Sequence, residues 1–321
     1  MTYAKIIATG SYVPEKILNN EELASMVDTS NEWILSRTGI KERRITTDEE
    51  KTSNLAYNAC LEAFKSCSID KSEIDMIILA TASPDIIIPS TGCILQTMLG
   101  ISNHIPVYDL QAACSGFIYG LSSANAYIKS GKYKNILVIG ADTVSKFTDY
   151  TDRNTCVLFG DGAGCAILQG TEENTGIIDC DIFADSSGIK SLNANGRLSK
   201  GKVEGYPYIK MDGQAVYKMA VKNLTQAAIN IMNKNGFVEE QISWFIPHQA
   251  NLRIIEAVAA NLSFPMEKVI ITVDKHGNTS AASVPLALDF AVKSGKIKPG
   301  DLLLLEAVGA GFTWGACLVK Y

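Results

Sequence analysis

The sequence has no apolar run of the roughly 18 residues that a membrane-spanning helix requires, which excludes an ordinary transmembrane protein. Its first ten residues also lack the apolar stretch and cleavage site of a signal peptide, so we expect a cytoplasmic protein. Hydrophobic residues make up 47% of the 321 positions and charged residues 20%, which excludes a disordered or fibrous chain. The length fits two domains or one large α/β body.

Basic residues are too few for a general nucleic-acid binder. Lys and Arg number 29 against 34 Asp and Glu, which gives a net charge of −5 at pH 7. Proteins that bind nucleic acid nonspecifically neutralise many phosphates with Lys and Arg. We therefore expect neither a nucleic-acid nor a membrane partner, and an acidic protein partner would need a local basic patch.

Metal-ligand patterns are also absent. The eight cysteines form no C-x-x-C motif and have no zinc-like spacing to the three histidines, so we expect no metal. The glycine-rich stretches 160–164 and 309–315 match neither a dinucleotide nor a Walker loop, and strand patterns follow both, which excludes nucleotide-phosphate binding. In a reducing cytosol the cysteines stay free thiols. Seven of them are interpreted as small core residues: Cys60, Cys67, Cys93, Cys156, Cys165, Cys180 and Cys317.

Cys114 differs from the other cysteines in its position. It follows a short strand pattern at 107–110 and precedes a helical pattern at 117–128. Free N–H groups and the dipole at a helix N-terminus favour a thiolate, which would make Cys114 a nucleophile. The local sequence also permits a cysteine chosen only for its small size in a tight turn, and taken alone it favours that second interpretation.

Two halves of the chain resemble each other in three blocks that occur in the same order. Residues 59–75 align with 227–243, residues 128–132 with 292–296, and residues 164–168 with 315–319. Each half alternates strands with helices, so we predict an α/β protein with halves at 1–170 and 171–321 and sheets covered by helices. Helix N-caps are predicted at Ser53 and Asp212, and helix C-termini near Gly131, Gly236 and Gly295.

The repeat also pairs Cys114 with an asparagine. The second block aligns with an offset of 164 residues, and the same offset makes Asn278 the counterpart of Cys114. We therefore expect both residues at equivalent strand-to-helix junctions that can face each other. His248 lies just past a hydrophobic strand, where α/β active sites are built, although a buried structural histidine fits equally well. His104 is interpreted as a surface residue and His276 as a turn residue. Together, Cys114, His248 and Asn278 suit nucleophilic chemistry on a thioester or amide.

Five stretches of the sequence resemble the β-ketoacyl-acyl-carrier-protein synthase III family, the initiating condensing enzymes of bacterial type II fatty acid synthesis. They lie at residues 29–40, 112–117, 247–253, 276–283 and 311–315, and so span nearly the whole chain. The resemblance implies the thiolase fold, in which duplicated βα halves form a five-layer αβαβα sandwich. It also implies a homodimer.

The resemblance further implies a two-stage reaction with no metal and no cofactor beyond the coenzyme A thioester substrate. Cys114 would take the acyl group from a short acyl-CoA such as acetyl-CoA. Malonyl-acyl-carrier protein would then lose CO₂, with His248 and Asn278 stabilising the enolate by hydrogen bonds to its oxygen. The carbanion would attack the acyl-cysteine, and the backbone N–H groups of Cys114 and Ala310 would hold the oxyanion.

Binding residues for both substrates follow from the same resemblance. Trp33 and Arg153 would sandwich the adenine of coenzyme A, and Arg37 would meet a phosphate. Helix packing for Trp33 and a surface ion pair for Arg37 are the ordinary alternatives. The pantetheine tunnel would be lined by Thr29, Gly213, Ala250 and Asn251. The acidic carrier protein would dock on a basic patch formed by Lys218, Lys222 and Arg253.

Four positions depart from the family pattern. Ala310 replaces the middle glycine of a Gly-Gly-Gly run, and its N–H can hold an oxyanion only if its φ is not strongly positive. Ala260 and Asn261 replace a basic pair, which predicts weaker or differently distributed carrier-protein docking. Ile88 stands where a phenylalanine often closes the acyl pocket across the dimer, so the size and branching of the starter acyl group stay open.

Three other functions compete with this one. A related thiolase-fold enzyme would make a specialised acyl product, although Asn278 argues against elongating synthases, which carry a second histidine there. A Cys-His-Asn hydrolase uses the same residue types in the same chain order, and the internal duplication argues against it. The third is a non-catalytic partner subunit, and an intact Cys-His-Asn set argues against that.

Overall fold

Two separate β-sheets form the framework of the protein, whose computed structural model describes residues 2–321. The strands, in chain order, are β1 Tyr3–Tyr12, β2 Ile17–Asn19, β3 Glu42–Arg44, β4 Met76–Ala80, β5 Val107–Leu110, β6 Asn135–Thr143, β7 Asp161–Thr171, β8 Gly176–Ala184, β9 Leu192–Asn193, β10 Arg197–Ser199, β11 Lys202–Glu204, β12 Lys210–Met211, β13 Trp244–Pro247, β14 Leu302–Gly309 and β15 Thr313–Lys320. The first sheet has the order β1-β7-β6-β4-β5, and the second has the order β13-β14-β15-β8.

Parallel pairing lies where the functional junctions are expected. In the first sheet β4 runs parallel to both β5 and β6, and in the second sheet β13 runs parallel to β14. The remaining pairs of these two sheets are antiparallel. Three further strand pairs, β2–β3, β10–β11 and β12–β9, form small two-stranded sheets. Parallel strands send their carboxyl ends to one edge, and the loops there build the site.

Helices cover both faces of each sheet. They are α1 Asn20–Met26, α2 Asn31–Thr38, α3 Thr52–Lys65, α4 Thr91–Leu99, α5 Gly116–Lys129, α6 Gly213–Lys234, α7 Leu252–Asn261, α8 Val273–His276 and α9 Ser283–Lys293. The predicted cap at Asp212 is confirmed, since its side chain accepts the N–H groups of Gln214 and Ala215. The cap at Ser53 is wrong: α3 begins at Thr52, and the Ser53 N–H donates to the Asp85 carboxylate instead.

Five layers result, in the order αβαβα. Alternate residues of a strand face opposite sides, so Ile78 of β4 packs in the central layer with α5 and α9, whereas Leu79 faces the outer layer of α3 and α4. In the second sheet, Leu305 of β14 faces the central helices and Leu304 faces α6 and α7. The predicted α/β class is therefore confirmed. The first sheet ends at Thr171 and the second begins at Gly176; the assignment of 1–170 and 171–321 as domains stays a prediction.

The cysteine interpretation needs a correction. Cys60, Cys156, Cys165 and Cys317 are buried as predicted, but Cys67, Cys93 and Cys180 are only half-buried. Each of the latter lies at a boundary: just after the C-terminus of α3, in the first turn of α4, and on β8 at the edge of its sheet. Apolar neighbours in the sequence do not show whether a cysteine lies in the core or at the end of a helix or the edge of a sheet. Across residues 2–321, no helix is both long and apolar enough to cross a membrane.

Candidate active site

A cavity of about 1180 Å³ brings together the three residues that the sequence singled out. Cys114, His248 and Asn278 all line it, although they come from three separate connections: the turn between β5 and α5, the loop after β13, and the segment between α8 and α9. Their exposed fractions are 9%, 3% and 7%, so the reacting groups lie out of bulk water. His104 is exposed, and neither it nor His276, the last residue of α8, lines this cavity.

Cys114 is held in a strained turn between β5 and α5. Ala113 has a φ of 47°, a left-handed conformation that is uncommon for any residue other than glycine, and its N–H donates to the Gln111 side chain (2.8 Å). The Ser115 hydroxyl donates to Thr313 Oγ1 (2.8 Å), and Thr313 Oγ1 donates to the Ala112 carbonyl (2.9 Å). The turn that presents the sulfur is therefore fixed by β15 of the other sheet.

The repeat brings the two junctions together, but its predicted register is wrong here. The counterpart of Ala113 is Ser280, which also has a positive φ (52°) and begins an equivalent turn before α9. Ala113 and Ser280 are 167 positions apart, so the counterpart of Cys114 is Ala281 and not Asn278. The physical reason is a difference in helix length, since α5 has 14 residues and α9 has 11. Corresponding residues at the C-terminal ends of these helices are therefore 164 positions apart, whereas those at the N-terminal ends are 167 apart. The two turns are in contact, as the pseudo-twofold arrangement requires.

Asn278 presents its amide N–H₂ group as a donor. Its backbone is bonded to the 158–160 loop, with its N–H donating to the Leu158 carbonyl (2.8 Å) and its carbonyl accepting from Gly160 (3.0 Å). Its side-chain oxygen accepts the Ser280 N–H (2.9 Å). Because the oxygen is occupied, the amide nitrogen is the group left for a ligand in the cavity.

His248 follows β13 directly, and its backbone N–H donates to the backbone carbonyl of Glu306 in β14 (2.8 Å). Its ring nitrogen Nδ1 is hydrogen-bonded to the hydroxyl of Ser283, the first residue of α9. Burial lowers the pKa of His248 to about 3, so the imidazole is neutral at physiological pH.

Burial also raises the pKa of the Cys114 thiol to about 12, which a contact with Ser280 only partly offsets. Desolvation thus opposes the thiolate that the helix N-terminus favours. At neutral pH the Cys114 thiol and the His248 imidazole are therefore both uncharged, a combination that we call the neutral pair.

This pKa gives a pH prediction for Cys114. We expect its alkylation by iodoacetamide to quicken by about tenfold per pH unit from about pH 7 to about pH 10, because only the thiolate reacts and its fraction rises until the pKa near 12. Peptide mapping by mass spectrometry separates Cys114 from the other thiols. A rate that levels off by about pH 9 would mean an ordinary or lowered pKa and would contradict the neutral pair.

Ala310 does not have a positive φ, so its N–H can hold an oxyanion as the sequence analysis required. The positive φ of this turn falls on Gly311 (144°), and Ala310 is not among the non-glycine residues of 2–321 with a positive φ. The preceding Gly309 has a different constraint: a Cβ there would lie 2.7 Å from the backbone N of Cys114 and 3.1 Å from the Ala112 carbonyl oxygen. A side chain at 309 would push the two segments apart, so glycine is needed to bring the Ala310 and Cys114 segments together.

Trp33 and the two arginines predicted for coenzyme A lie together; Trp33 and Arg37 line the cavity, whereas Arg153 does not. The Arg153 guanidinium is 5.2 Å from the Trp33 ring centroid, and that of Arg37 is 5.9 Å from it. Arg153 also donates to the Asp28 carbonyl (2.7 Å). Arg153 thus lies directly on the indole, and an adenine between them requires the guanidinium to move. Arg37 forms no ion pair within residues 2–321, so that alternative is not observed.

The predicted tunnel residues are mostly at the cavity. Gly213, Ala250 and Asn251 line it, and Asn251 donates to the Arg37 carbonyl (3.1 Å), which ties α7 to α2. Thr29 lies outside the lining, with a buried hydroxyl oxygen that has no hydrogen-bond partner among residues 2–321.

The predicted docking residues divide into two groups. Lys218 and Arg253 are exposed and line the cavity mouth, whereas Lys222 lies outside it and has Asp185 as a neighbour. Ala260 and Asn261 are exposed at the end of α7, so no positive charge stands there. Ile88 is 82% exposed and does not line the cavity within the single chain. Among residues 2–321, no group of three or more His, Cys, Asp or Glu side chains could hold a metal ion.

Comparisons with known proteins agree on one family. The family model of 3-oxoacyl-[acyl-carrier-protein (ACP)] synthase III matches residues 108–186, and that of its C-terminal part matches residues 232–321. The β-ketoacyl-[acyl-carrier-protein] synthase III of Neisseria meningitidis serogroup C (strain FAM18) is 53% identical over 321 residues, which cover 100% of both chains. The chain belongs to the β-ketoacyl-[acyl-carrier-protein] synthase III family.

Other relatives of this synthase III family agree. The Laribacter hongkongensis protein is 50% identical over 100% of both chains. The crystal structure of the Aquifex aeolicus 3-oxoacyl-[acyl-carrier-protein] synthase III has a TM-score of 0.94 and 46% identity, over 99% of this chain and 100% of that one. The predicted thiolase fold is thereby confirmed, and the chain is an acyl-transferring condensing enzyme.

The sequence analysis did not identify the buried residues that hold the catalytic segments of this synthase III site in place. Gln249 and Ser283 both lie inside stretches already recognised as motifs, so their positions were visible but their roles were not. Asp142 is buried below the two junction turns and accepts N–H groups from Ala82 (2.7 Å) and Ala281 (3.1 Å). The sequence did not single out Asp142, which stands one residue before the end of the apolar strand β6.

Proposed function

We propose that this enzyme condenses a short acyl-CoA, such as acetyl-CoA, with malonyl-acyl-carrier protein to give 3-ketoacyl-acyl-carrier protein, the initiating step of type II fatty acid synthesis. The observation that carries the proposal is the convergence of a buried thiol with the donors of His248 and Asn278 on one cavity. Coenzyme A thioester is a substrate here and not a resident cofactor. The reaction has two stages that share the cavity.

In the first stage, the Cys114 sulfur attacks the thioester carbonyl of acyl-CoA. The N–H groups of Cys114 and Ala310 stabilise the oxyanion, each contributing about 3 kcal/mol by analogy with other oxyanion holes. The bond from carbon to the coenzyme A sulfur then breaks, and the thiol proton ends on that sulfur. Because the thiolate is the reactive species, the thiol proton leaves as the sulfur attacks, and this thiol–thioester exchange requires no charge on His248.

In the second stage, malonyl-acyl-carrier protein occupies the emptied tunnel. The bond between its carboxylate carbon and Cα breaks, CO₂ leaves, and the electron pair forms an enolate whose oxygen accepts hydrogen bonds from His248 and Asn278. A buried donor pair favours this charge because little reorganisation is needed as it develops. The carbanion attacks the acyl-cysteine, and the released Cys114 sulfur takes up a proton from solvent.

Coenzyme A recognition is supported by Trp33 and Arg37 in the cavity lining and by Arg153, which contacts Trp33. Replacement of Arg153 by alanine is expected to raise the KM for acyl-CoA by about 3- to 10-fold, the equivalent of one exposed stacking and cation–π contact. Steady-state kinetics with acetyl-CoA as the varied substrate measure this. The KM for malonyl-acyl-carrier protein is the internal control, since that substrate carries no adenine. An unchanged KM for acyl-CoA would remove Arg153 from the adenine site.

Lys218 and Arg253 support docking of an acidic carrier protein at the mouth. We expect the double change of Lys218 and Arg253 to alanine to lower kcat/KM for malonyl-acyl-carrier protein by about tenfold at low salt and to flatten its salt dependence. Lys222→Ala is the matched control on the same helix, with a smaller expected loss because it lies outside the mouth. A larger loss in Lys222→Ala than in the double variant would relocate the docking patch.

We also infer a cytoplasmic homodimer. Ile86, Ile87 and Ile88 are 44%, 70% and 82% exposed, and three consecutive exposed isoleucines suit a protein interface. In a twofold dimer this loop would place Ile88 at the acyl pocket of the partner, as the family pattern implies.

A panel of starter acyl-CoAs tests the proposed function. Acetyl-, propionyl-, isobutyryl- and octanoyl-CoA are each incubated with malonyl-acyl-carrier protein, and the 3-ketoacyl products are identified by mass spectrometry. We expect the short starters to give product. Product from the long starter alone would favour a specialised acyl pathway, and free acid without any ketoacyl product would favour a thioester hydrolase.

A further inference from the structure

Ser283 makes the direct contact to the back of the His248 ring. Its hydroxyl is hydrogen-bonded to His248 Nδ1, and both residues are buried, with exposed fractions of 1% and 3%. The same Ser283 oxygen lies 3.3 Å from the backbone N of Gln249, whose N–H donates to it. Within residues 2–321 these are the two hydrogen-bonding contacts of this hydroxyl.

The protons in this contact can be counted. A hydroxyl group has one proton to donate and two lone pairs that accept. The Gln249 N–H occupies one lone pair and, being a donor, cannot receive the hydroxyl proton. A buried hydroxyl proton without an acceptor would cost free energy, so the proton goes to His248 Nδ1. Nδ1 is then an acceptor and carries no proton of its own.

We propose that Ser283 is a positioning residue that fixes His248 in the tautomer with its proton on Nε2. With Nδ1 turned to Ser283, Nε2–H is on the opposite side of the ring and is the donor offered to the cavity. This inference rests on the proposed function, because it specifies how His248 comes to donate to the malonyl thioester oxygen. It also explains why His248 is not a base for Cys114, since neither ring nitrogen is free to take the thiol proton.

Gln249 keeps the Ser283 contact in place. Its side-chain nitrogen donates to the carbonyls of Pro247 (2.7 Å) and Ile270 (3.0 Å). Its side-chain oxygen accepts the N–H groups of Thr272 (2.8 Å) and Val273 (3.1 Å). With the amide fully bonded, the loop after β13 is held rigidly, and the Gln249 backbone N–H stays aimed at the Ser283 oxygen.

¹⁵N NMR of protein labelled at histidine reads the tautomer directly. The chain has three histidines, and loss of one signal set in His248→Gln assigns His248. In the wild type at neutral pH we expect a protonated Nε2 and an unprotonated, hydrogen-bonded Nδ1. In Ser283→Ala we expect a mixture of tautomers, and in Ser283→Thr, which keeps the hydroxyl, we expect the wild-type tautomer.

Kinetics give the second readout. In Ser283→Ala we expect malonyl decarboxylation to fall by about 10- to 100-fold, as when an orienting partner is lost, while acylation of Cys114 changes by less than about threefold. Ser283→Thr should recover most of the decarboxylation rate. A wild-type His248 protonated on Nδ1 would overturn the proposal, and that measurement does not depend on the folding of a Ser283 variant. Equal losses in both stages, or an unchanged tautomer in Ser283→Ala, would also overturn it. If the wild type shows the Nε2–H tautomer but makes no ketoacyl product, the proposed function fails and the tautomer assignment stands.

Discussion

Cys114→Ala is expected to abolish acyl-enzyme formation and to lower condensation by about 10⁴-fold or more, since removal of a nucleophile leaves only binding and oxyanion stabilisation. Alanine fits the buried turn, because Ala112 and Ala113 already precede it and the cavity lies on the side of the sulfur. The two donors His248 and Asn278 are untouched, so the variant should still decarboxylate malonyl-acyl-carrier protein. Intact mass spectrometry after incubation with acetyl-CoA, together with product assays, measures both effects.

The matched control for Cys114 is Cys67→Ala. Cys67 is also a free thiol, but it is half-buried rather than buried and lies after α3, outside the lining of the cavity. We expect wild-type acylation and condensation from it. Condensation that persists unchanged in Cys114→Ala would contradict the nucleophile assignment and would support a non-catalytic role for this residue.

His248→Ala and Asn278→Ala are each expected to lower malonyl decarboxylation by about 10²- to 10³-fold, the usual effect of removing one donor to a developing oxyanion. Acylation of Cys114 should fall by less than about tenfold, because that stage uses the Cys114 sulfur and two backbone N–H groups rather than these two side chains. Release of ¹⁴CO₂ from labelled malonyl-acyl-carrier protein reports the first quantity, and rapid-quench mass spectrometry of Cys114 reports the second.

His104→Ala is the histidine control for this pair. His104 is exposed on the loop before β5 and lies outside the cavity, so both stages should keep their wild-type rates. Equal losses of acylation and decarboxylation in His248→Ala would contradict the division of roles. That result would make His248 a base for Cys114, which the Nε2–H tautomer forbids.

The sequence was sufficient to locate the three central residues. Cys114 and His248 each follow a strand, which the change from apolar strand to helical pattern makes visible. Asn278 follows the short helix α8 instead, and the repeat and the family resemblance singled it out. The layered α/β arrangement followed in the same way from the repeat and from strand–helix alternation. The predicted register of the repeat was wrong at Asn278 because α5 is three residues longer than α9. The sequence match at the ends of these two helices does not reveal that difference.

Features that depend on burial and contact could not be predicted from the sequence. The neutral state of Cys114 depends on desolvation in the cavity, which overrides the local effect of the helix terminus. The contact of Arg153 with Trp33 joins side chains 120 positions apart. The half-burial of Cys67 and Cys180 depends on where the neighbouring layers end. Each of these is a property of packing, not of local pattern.

The central claim is that one thiol, Cys114, carries the acyl group between coenzyme A and the growing 3-ketoacyl chain. The most direct measurement adds labelled acetyl-CoA, maps the acetyl group by peptide mass spectrometry, and then adds malonyl-acyl-carrier protein to the isolated acyl-enzyme. The account predicts acetylation of Cys114 alone among the eight cysteines, followed by transfer of the label into 3-ketoacyl-acyl-carrier protein. Label on another cysteine, or label released only as free acetate, would contradict it.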